Sequence, residues 1–124
     1  MASRDSNRGS TLKAGKKLLM GEFLKSSNGY YYAKMQSDGN FVLYLNGAPL
    51  WQSGTYLTGS PPYQMVVQTY GNLVLYDAET KPTWHSNTYL NHMSDGHHLD
   101  MQDDGNLVLY DGNNAPSWNT GTHR

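Results

Sequence analysis

The stretch from Met35 to Tyr44, MQSDGNFVLY, decides how this chain folds. Asp38-Gly39 ahead of an alternating run is a β-hairpin cue, but a two-residue loop would set Gln36 opposite Phe41 and mix polar with apolar residues on each face. A three-residue loop of Ser37, Asp38 and Gly39, with Gly39 in the left-handed conformation, pairs Gln36 with Asn40 and Met35 with Phe41. The faces then separate. Ala33, Met35, Phe41 and Leu43 fall on one side; Lys34, Gln36, Asn40, Val42 and Tyr44 fall on the other, with Asp38 at the tip.

Two further stretches repeat the pattern: VQTYGNLVLY from Val67 to Tyr76 and MQDDGNLVLY from Met101 to Tyr110, at offsets of 32 and then 34 residues. A tryptophan follows each Gln by 15, 16 and 16 residues, and Trp51, Trp84 and Trp118 open the polar runs WQSGT, WHSNT and WNTGT. Copies of about 33 residues also suit helical solenoids. Frequent Gly and Asn and a two-residue apolar alternation exclude that architecture here. The same register gives apolar faces of Met65, Val67, Leu73 and Leu75, and of Leu99, Met101, Leu107 and Leu109. A lone hairpin cannot bury such a face, so three copies around one axis, each adding its Trp strand, predict a shared core with Trp51, Trp84 and Trp118 at its centre.

Composition agrees. The 124 residues suit one domain, and Leu, Val, Ile and Phe together supply only 21 of them, so ten Tyr and three Trp must provide much of the buried surface. A formal charge of −1 lacks the self-repulsion of a disordered chain. Zero Cys excludes a disulfide framework and thiolate chemistry. Without eighteen consecutive apolar residues or a signal-peptide core, the expectation is a chain that does not insert into membranes and is cytoplasmic or released without a classical leader. Residues 1 to 34 hold seven of the nine Lys and Arg against two acids, while residues 35 to 124 hold two against eight. Such lopsidedness suits a nucleic-acid arm, but the basic residues are too sparse for one, and no nucleic-acid partner is expected. We expect a flexible basic segment at 1–11 and one domain at 12–124, with repeats near 20–55, 56–88 and 89–122.

A merely solvated strand face has no reason to repeat Gln, Asn, Val and Tyr in order. Gln36 and Asn40 lie about 5 Å apart across the hairpin, and Val42 and Tyr44 follow at steps of about 6.6 Å, a patch on the order of 13 Å long. That is the size of a sugar ring. Two amides, a carboxylate, a phenol and a branched aliphatic surface match the hydroxyls and weakly apolar C–H patches of a pyranose. The Asp38 carboxylate would make the charge-assisted bond.

At these residues the chain resembles the monocot mannose-binding (bulb-type, B-type) lectin family, with a QxDxNxVxY motif in each third of a β-prism. The resemblance covers nearly everything from about residue 12 onward and implies a β-prism II fold: all-β, with three four-stranded antiparallel sheets in pseudo-threefold symmetry. It also implies calcium-independent binding of mannose-rich glycans, with no cofactor. Gln, Asp and Asn would hold the mannose O2 and O3, Tyr would bond O4, and Val would pack on ring carbons. Gln36, Asp38, Asn40, Val42 and Tyr44 match completely, as do Gln102, Asp104, Asn106, Val108 and Tyr110. The middle copy keeps Gln68, Asn72, Val74 and Tyr76 but has Tyr70 in place of Asp, which predicts two working sites and one weak or dead one. With no Cys for the disulfide usual in plant members, and with no leader expected, the chain looks more like cysteine-free relatives outside plants. The resemblance further implies homodimerisation by exchange of the C-terminal strand, for which six residues follow Trp118.

Other chemistry is excluded or ranked below. Asp95, His97, His98 and Asp100 fit no metal-ligand spacing; they are expected to be exposed hairpin residues. Asp103 and Asp104, adjacent on one loop, cannot flank a glycosidic bond, and neither a phosphate loop nor a nucleophile elbow is present, so no enzyme is expected. A protein-interaction or bacteriocin-like module using the prism surface is the alternative.

Overall fold

The computed structural model describes residues 6–90 and 96–124. Their strands, in chain order, are β1 (Thr11–Lys13), β2 (Lys17–Leu19), β3 (Phe23–Lys25), β4 (Tyr31–Met35), β5 (Phe41–Leu45), β6 (Ala48–Gln52), β7 (Gln64–Val67), β8 (Leu73–Tyr76), β9 (Pro82–His85), β10 (His98–Met101), β11 (Leu107–Tyr110) and β12 (Pro116–Asn119). They form three four-stranded antiparallel sheets, ordered β3-β4-β5-β6, β2-β7-β8-β9 and β1-β10-β11-β12, which make a three-sided prism. No helix occurs among the described residues.

Hairpin register follows the parity argument. Met35 pairs with Phe41, Val67 with Leu73 and Met101 with Leu107. Beyond each pair the Gln N–H donates to the Asn carbonyl, at 3.0, 2.9 and 3.0 Å for Gln36, Gln68 and Gln102. The inward residues of the three hairpins form one core, none above 2% exposure. Leu43, Leu75 and Leu109 pair across to Trp51, Trp84 and Trp118 on β6, β9 and β12. The three indoles close a triangle of edge-to-face contacts, with ring centroids 5.7, 5.5 and 5.4 Å apart. Each remains half-buried, packed against the core.

The fourth strand of each sheet comes from the N-terminal stretch. Leu12, Leu18 and Leu24 are the buried centres of β1, β2 and β3 and face Leu99, Met65 and Ala33 in three different sheets. Turns closed by Lys16 N–H to Lys13 O (3.0 Å) and Glu22 N–H to Leu19 O (2.9 Å) carry the chain from one side of the prism to the next. Sheets two and three therefore borrow a strand from outside the 56–88 and 89–122 repeats. Of the segment expected to be flexible, residues 1–5 lie outside the described residues. Ser6 to Gly9 instead run along β3: Phe23 N–H donates to Ser6 O (3.1 Å), Arg8 N–H to Phe23 O (2.8 Å) and Lys25 N–H to Gly9 O (2.9 Å). Arg8 is further held by Glu22, Nη1 to Oε1 at 2.9 Å. At the other end, β12 pairs with β11 of its own chain, so strand exchange would first have to break Val108–Asn119 and Leu109–Trp118 pairing.

Neighbouring sheets interlock at the hairpin glycines. Gly39 has φ +87° and Gly105 has φ +90°, and each lies against an aromatic ring of another copy. A Cβ on Gly39 would meet Tyr63 Cζ at 2.8 Å, and one on Gly105 would meet Tyr31 Cε1 at 2.7 Å; at Gly71 the neighbour is His97 Cε1 at 3.1 Å. Gly47 shares the positive φ but has nothing within 4 Å of such a Cβ. In urea unfolding, Gly47→Ala should therefore cost about 1 kcal/mol from backbone strain alone. Gly105→Ala should cost about 2–4 kcal/mol, because overpacking adds to that strain. Equal losses at the two positions would contradict the interlock.

Candidate functional site

Each sheet turns one face outward, and the pairing register places equivalent residues in rows across it. The central row reads Phe23, Lys34, Val42, Gln52 on the first sheet; Lys17, Val66, Val74, His85 on the second; and Thr11, Asp100, Val108, Asn119 on the third. The next row reads Lys25, Tyr32, Tyr44, Pro49, then Leu19, Gln64, Tyr76, Pro82, then Lys13, His98, Tyr110, Pro116. Beyond the central row stand the Gln–Asn pair and the hairpin tip.

The first face joins four of its five motif residues into a network. Gln36 Nε2 donates to both carboxylate oxygens of Asp38, at 3.1 and 3.0 Å, and Gln36 Oε1 accepts from the Tyr44 hydroxyl. Asp38 Oδ1 also accepts the Asn40 N–H at 2.9 Å, which closes the hairpin loop. Tyr44 stacks on Tyr32 with centroids 5.0 Å apart. Burial foremost, then the Tyr32 phenol and the Asp38 carboxylate, push the Tyr44 hydroxyl above the ordinary phenol range, with Lys34 opposing. Tyr44 therefore stays a protonated donor at neutral pH.

On the third face, Asp104 Oδ1 likewise accepts the Asn106 N–H at 2.9 Å, but Gln102 Nε2 turns to the Tyr110 hydroxyl, so Asp104 is exposed with no side-chain amide on it among the described residues. His98 stacks on Tyr110 (5.2 Å), taking the place Tyr32 has on the first face. Asp103 is differently employed, accepting Asn28 N–H at 2.9 Å through its carboxylate. On the second face Gln68 Nε2 donates to the Tyr76 hydroxyl at 2.5 Å, and Tyr70 stacks on Tyr89 with centroids 5.7 Å apart.

Two details differ from the sequence expectation. Asn40, Asn72 and Asn106 do not offer a whole amide, because their carbonyl oxygens are occupied by the polar run after each Trp. Asn40 Oδ1 accepts from Ser53 Oγ (3.1 Å), Gly54 N (3.1 Å) and Thr55 N (3.2 Å). Asn72 Oδ1 accepts from Ser86 Oγ and Thr88 N, both at 3.1 Å, and Asn106 Oδ1 from Thr120 Oγ1 and Thr122 N, both at 3.2 Å. Thr55, Thr88 and Thr122 also clamp the Gly39, Gly71 and Gly105 carbonyls at 2.6 Å. Only Nδ2 of each Asn is left to face outward, and in the first copy it donates to Gln52 Oε1 at 2.7 Å. The repeated S/T-x-T run was the visible signal for these positioning residues. Secondly, Val42, Val74 and Val108 lie on the outward face yet are only 4, 3 and 4% exposed, hemmed in by row neighbours, so the aliphatic surface they offer is a recessed floor.

The histidine cluster also departs from expectation. Asp95 lies outside the described residues. His97 is buried at 2% exposure instead of exposed, since it is the third-copy counterpart of Tyr31 and Tyr63 and packs beneath Gly71; its ring nitrogens have no partner among the described residues. His98 is half-buried on the outward face, 3.8 Å from Asp100.

No family model matches the chain. A B-type lectin of Scorpaena plumieri, plumieribetin, is 40% identical over 77 residues, which is 62% of this chain and 66% of that protein, so the match spans just under two thirds of that relative's length. Solved structures align over more. A monomeric monocot mannose-binding lectin from Gastrodia elata superposes with a TM-score of 0.83 at 38% identity, covering 93% of this chain and 99% of its own. The mannose-specific agglutinin of snowdrop (Galanthus nivalis) bulbs, complexed with methyl-α-D-mannoside, gives 0.75 at 37% identity, covering 93% and 98%.

Proposed function

Because the chain belongs to the monocot mannose-binding, bulb-type (B-type) lectin family, we propose that it binds mannose-type glycans through its first and third outward faces. The observation that carries the reading is the pre-joined set on the first face, where Gln36 bridges Asp38 and Tyr44 beside Asn40 Nδ2 and the Val42 floor. Asp38 supplies acceptors, the amide nitrogens of Gln36 and Asn40 supply donors, and the Tyr44 hydroxyl does either, which is the complement that adjacent sugar hydroxyls need. Gln102, Asp104, Asn106, Val108 and Tyr110 repeat the residue types, with Gln102 joined to Tyr110. The relatives are lectins and not enzymes.

Direct hydrogen bonding of hydroxyls requires no ion, so binding is calcium-independent. Each face is shallow, and affinity for a branched glycan comes from two faces engaged at once, with the second bond formed at high effective concentration. A single chain presenting both faces suffices for this. With β12 paired in its own sheet and a monomeric neighbour of similar fold, strand exchange is not needed. Calorimetric titration with methyl-α-mannoside should give two sites per chain, unchanged by EDTA. A stoichiometry of three or zero, or loss of binding on chelation, would contradict the reading. A glycan array competed with free mannose separates it from the protein-interaction alternative, which predicts no mannose-sensitive hits.

A further inference from the structure

We propose that the second outward face is not a dead copy but a site for acidic saccharides, sugars that carry a carboxylate or sulfate group. The inference rests on reading the equivalent faces as saccharide sites. What sets this face apart is its charge. Where the others have Asp38 and Asp104, it has the neutral Tyr70; where the others have Phe23 and Thr11 in the central row, it has Lys17. Among the described residues of its rows and hairpin there is no carboxylate.

Lys17 is placed to use that change. It pairs with Val66, which pairs with Val74, so the aliphatic stem can lie over Val66 while the charge stays in water. Strand spacing puts Val74 about 10 Å from Lys17 across two ladders, which leaves room for one sugar ring beside the ammonium. Lys16 adds to the field, because its turn is fastened next to the hairpin: Gly15 N–H donates to Val67 O at 2.7 Å and Val67 N–H to Lys16 O at 3.0 Å. Lys13, Lys16 and Lys17 are exposed and make no ion pair among the described residues.

The polar groups on this face are biased toward donation. Asn72 keeps only Nδ2, since its carbonyl oxygen is taken by Ser86 and Thr88; Nδ2 lies 3.5 Å from His85 Nδ1, and its other N–H is the donor left. His85 Nδ1 accepts the Asn87 N–H at 3.1 Å, which puts the ring proton on Nε2 and makes that atom a donor. Donors with a free cation suit an anionic sugar, to which charge-assisted hydrogen bonds are the strong ones. They suit a neutral diol poorly, because the acceptor-only carboxylate is gone. At the tip, Tyr70 and Tyr89 stack at 18° and are 39 and 63% exposed, a platform for the apolar face of the ring.

The test is a titration with a glucuronate-containing tetrasaccharide, with and without sulfate esters, in the presence of saturating methyl-α-mannoside. One acidic-sugar site per chain is expected, weakening as salt rises. Lys17→Gln should lower its affinity about tenfold and Tyr70→Asp should abolish it, and the preference between the two probes tells whether carboxylate or sulfate is read. Titration with methyl-α-mannoside alone reports on folding and on the other two faces. No acidic-sugar binding, or binding indifferent to both substitutions while two mannoside sites persist, overturns this inference alone. Absence of mannoside binding in the unsubstituted protein counts against the saccharide reading of all three faces and removes this one with it.

Discussion

Trp118→Ala lowers the free energy of unfolding by about 3 kcal/mol, near the lower end for a core tryptophan because one side of the indole stays in water. For a domain whose stability is of order 5–15 kcal/mol, that is a large fraction. Part of the loss is packing against the core cluster, and part is the edge-to-face contact with Trp51 and Trp84, at 5.5 and 5.4 Å. Such aromatic pairs contribute about 0.5–1.5 kcal/mol each beyond their buried area. The triangle thus predicts coupling: after Trp118→Ala, Trp84→Ala costs less than it does alone, by about that amount. Urea unfolding followed by far-ultraviolet circular dichroism measures both steps. Strict additivity would mean that the indoles touch without supporting one another.

The second large effect is on binding. Asp38→Asn with Asp104→Asn weakens methyl-α-mannoside binding about 10- to 100-fold at each face, since each substitution exchanges charge-assisted hydrogen bonds for neutral ones. Asparagine is the informative replacement because each aspartate has two tasks. Asp38 Oδ1 and Asp104 Oδ1 accept the hairpin N–H of Asn40 and Asn106 at 2.9 Å, and an amide oxygen can still do so. The double variant should therefore melt within a few degrees of the parent while calorimetry registers no mannoside heat, and each single variant should keep one site. A double variant that binds normally would show that the carboxylates serve the turns alone.

Much of this architecture was legible because a strand has period two, and only one loop length sorts Met35, Phe41 and Leu43 from Gln36, Asn40 and Tyr44. The identity of the outward residues was equally plain in three spaced copies. Three-residue strands carry no such period. Leu12, Leu18 and Leu24 each contribute one buried side chain, and their six-residue spacing, with Gly15 and Gly21 between them, is the one trace of β1, β2 and β3 in the sequence. His97 illustrates a different limit. Its chemistry suggests a surface or a ligand, but its position four residues before Met101 matches that of Tyr31 before Met35 and Tyr63 before Val67, and that position is buried under a neighbouring hairpin.

From residue order alone came the hairpins, the inward and outward faces and the odd middle copy, because each depends on contacts within about 16 residues, and the axial tryptophans, because the pattern repeats three times. Tertiary structure decided what crosses copies. It sent one N-terminal strand to each sheet, since each hairpin sheet had an open edge that a short strand with one central leucine could cover. It spent the carbonyls of Asn40, Asn72 and Asn106 on the loops after the tryptophans, because those loops return beside the hairpin tips. And it set Lys17 on the outward face whose rows and hairpin hold no carboxylate among the described residues, a juxtaposition of residues about 50 apart that only the fold brings together.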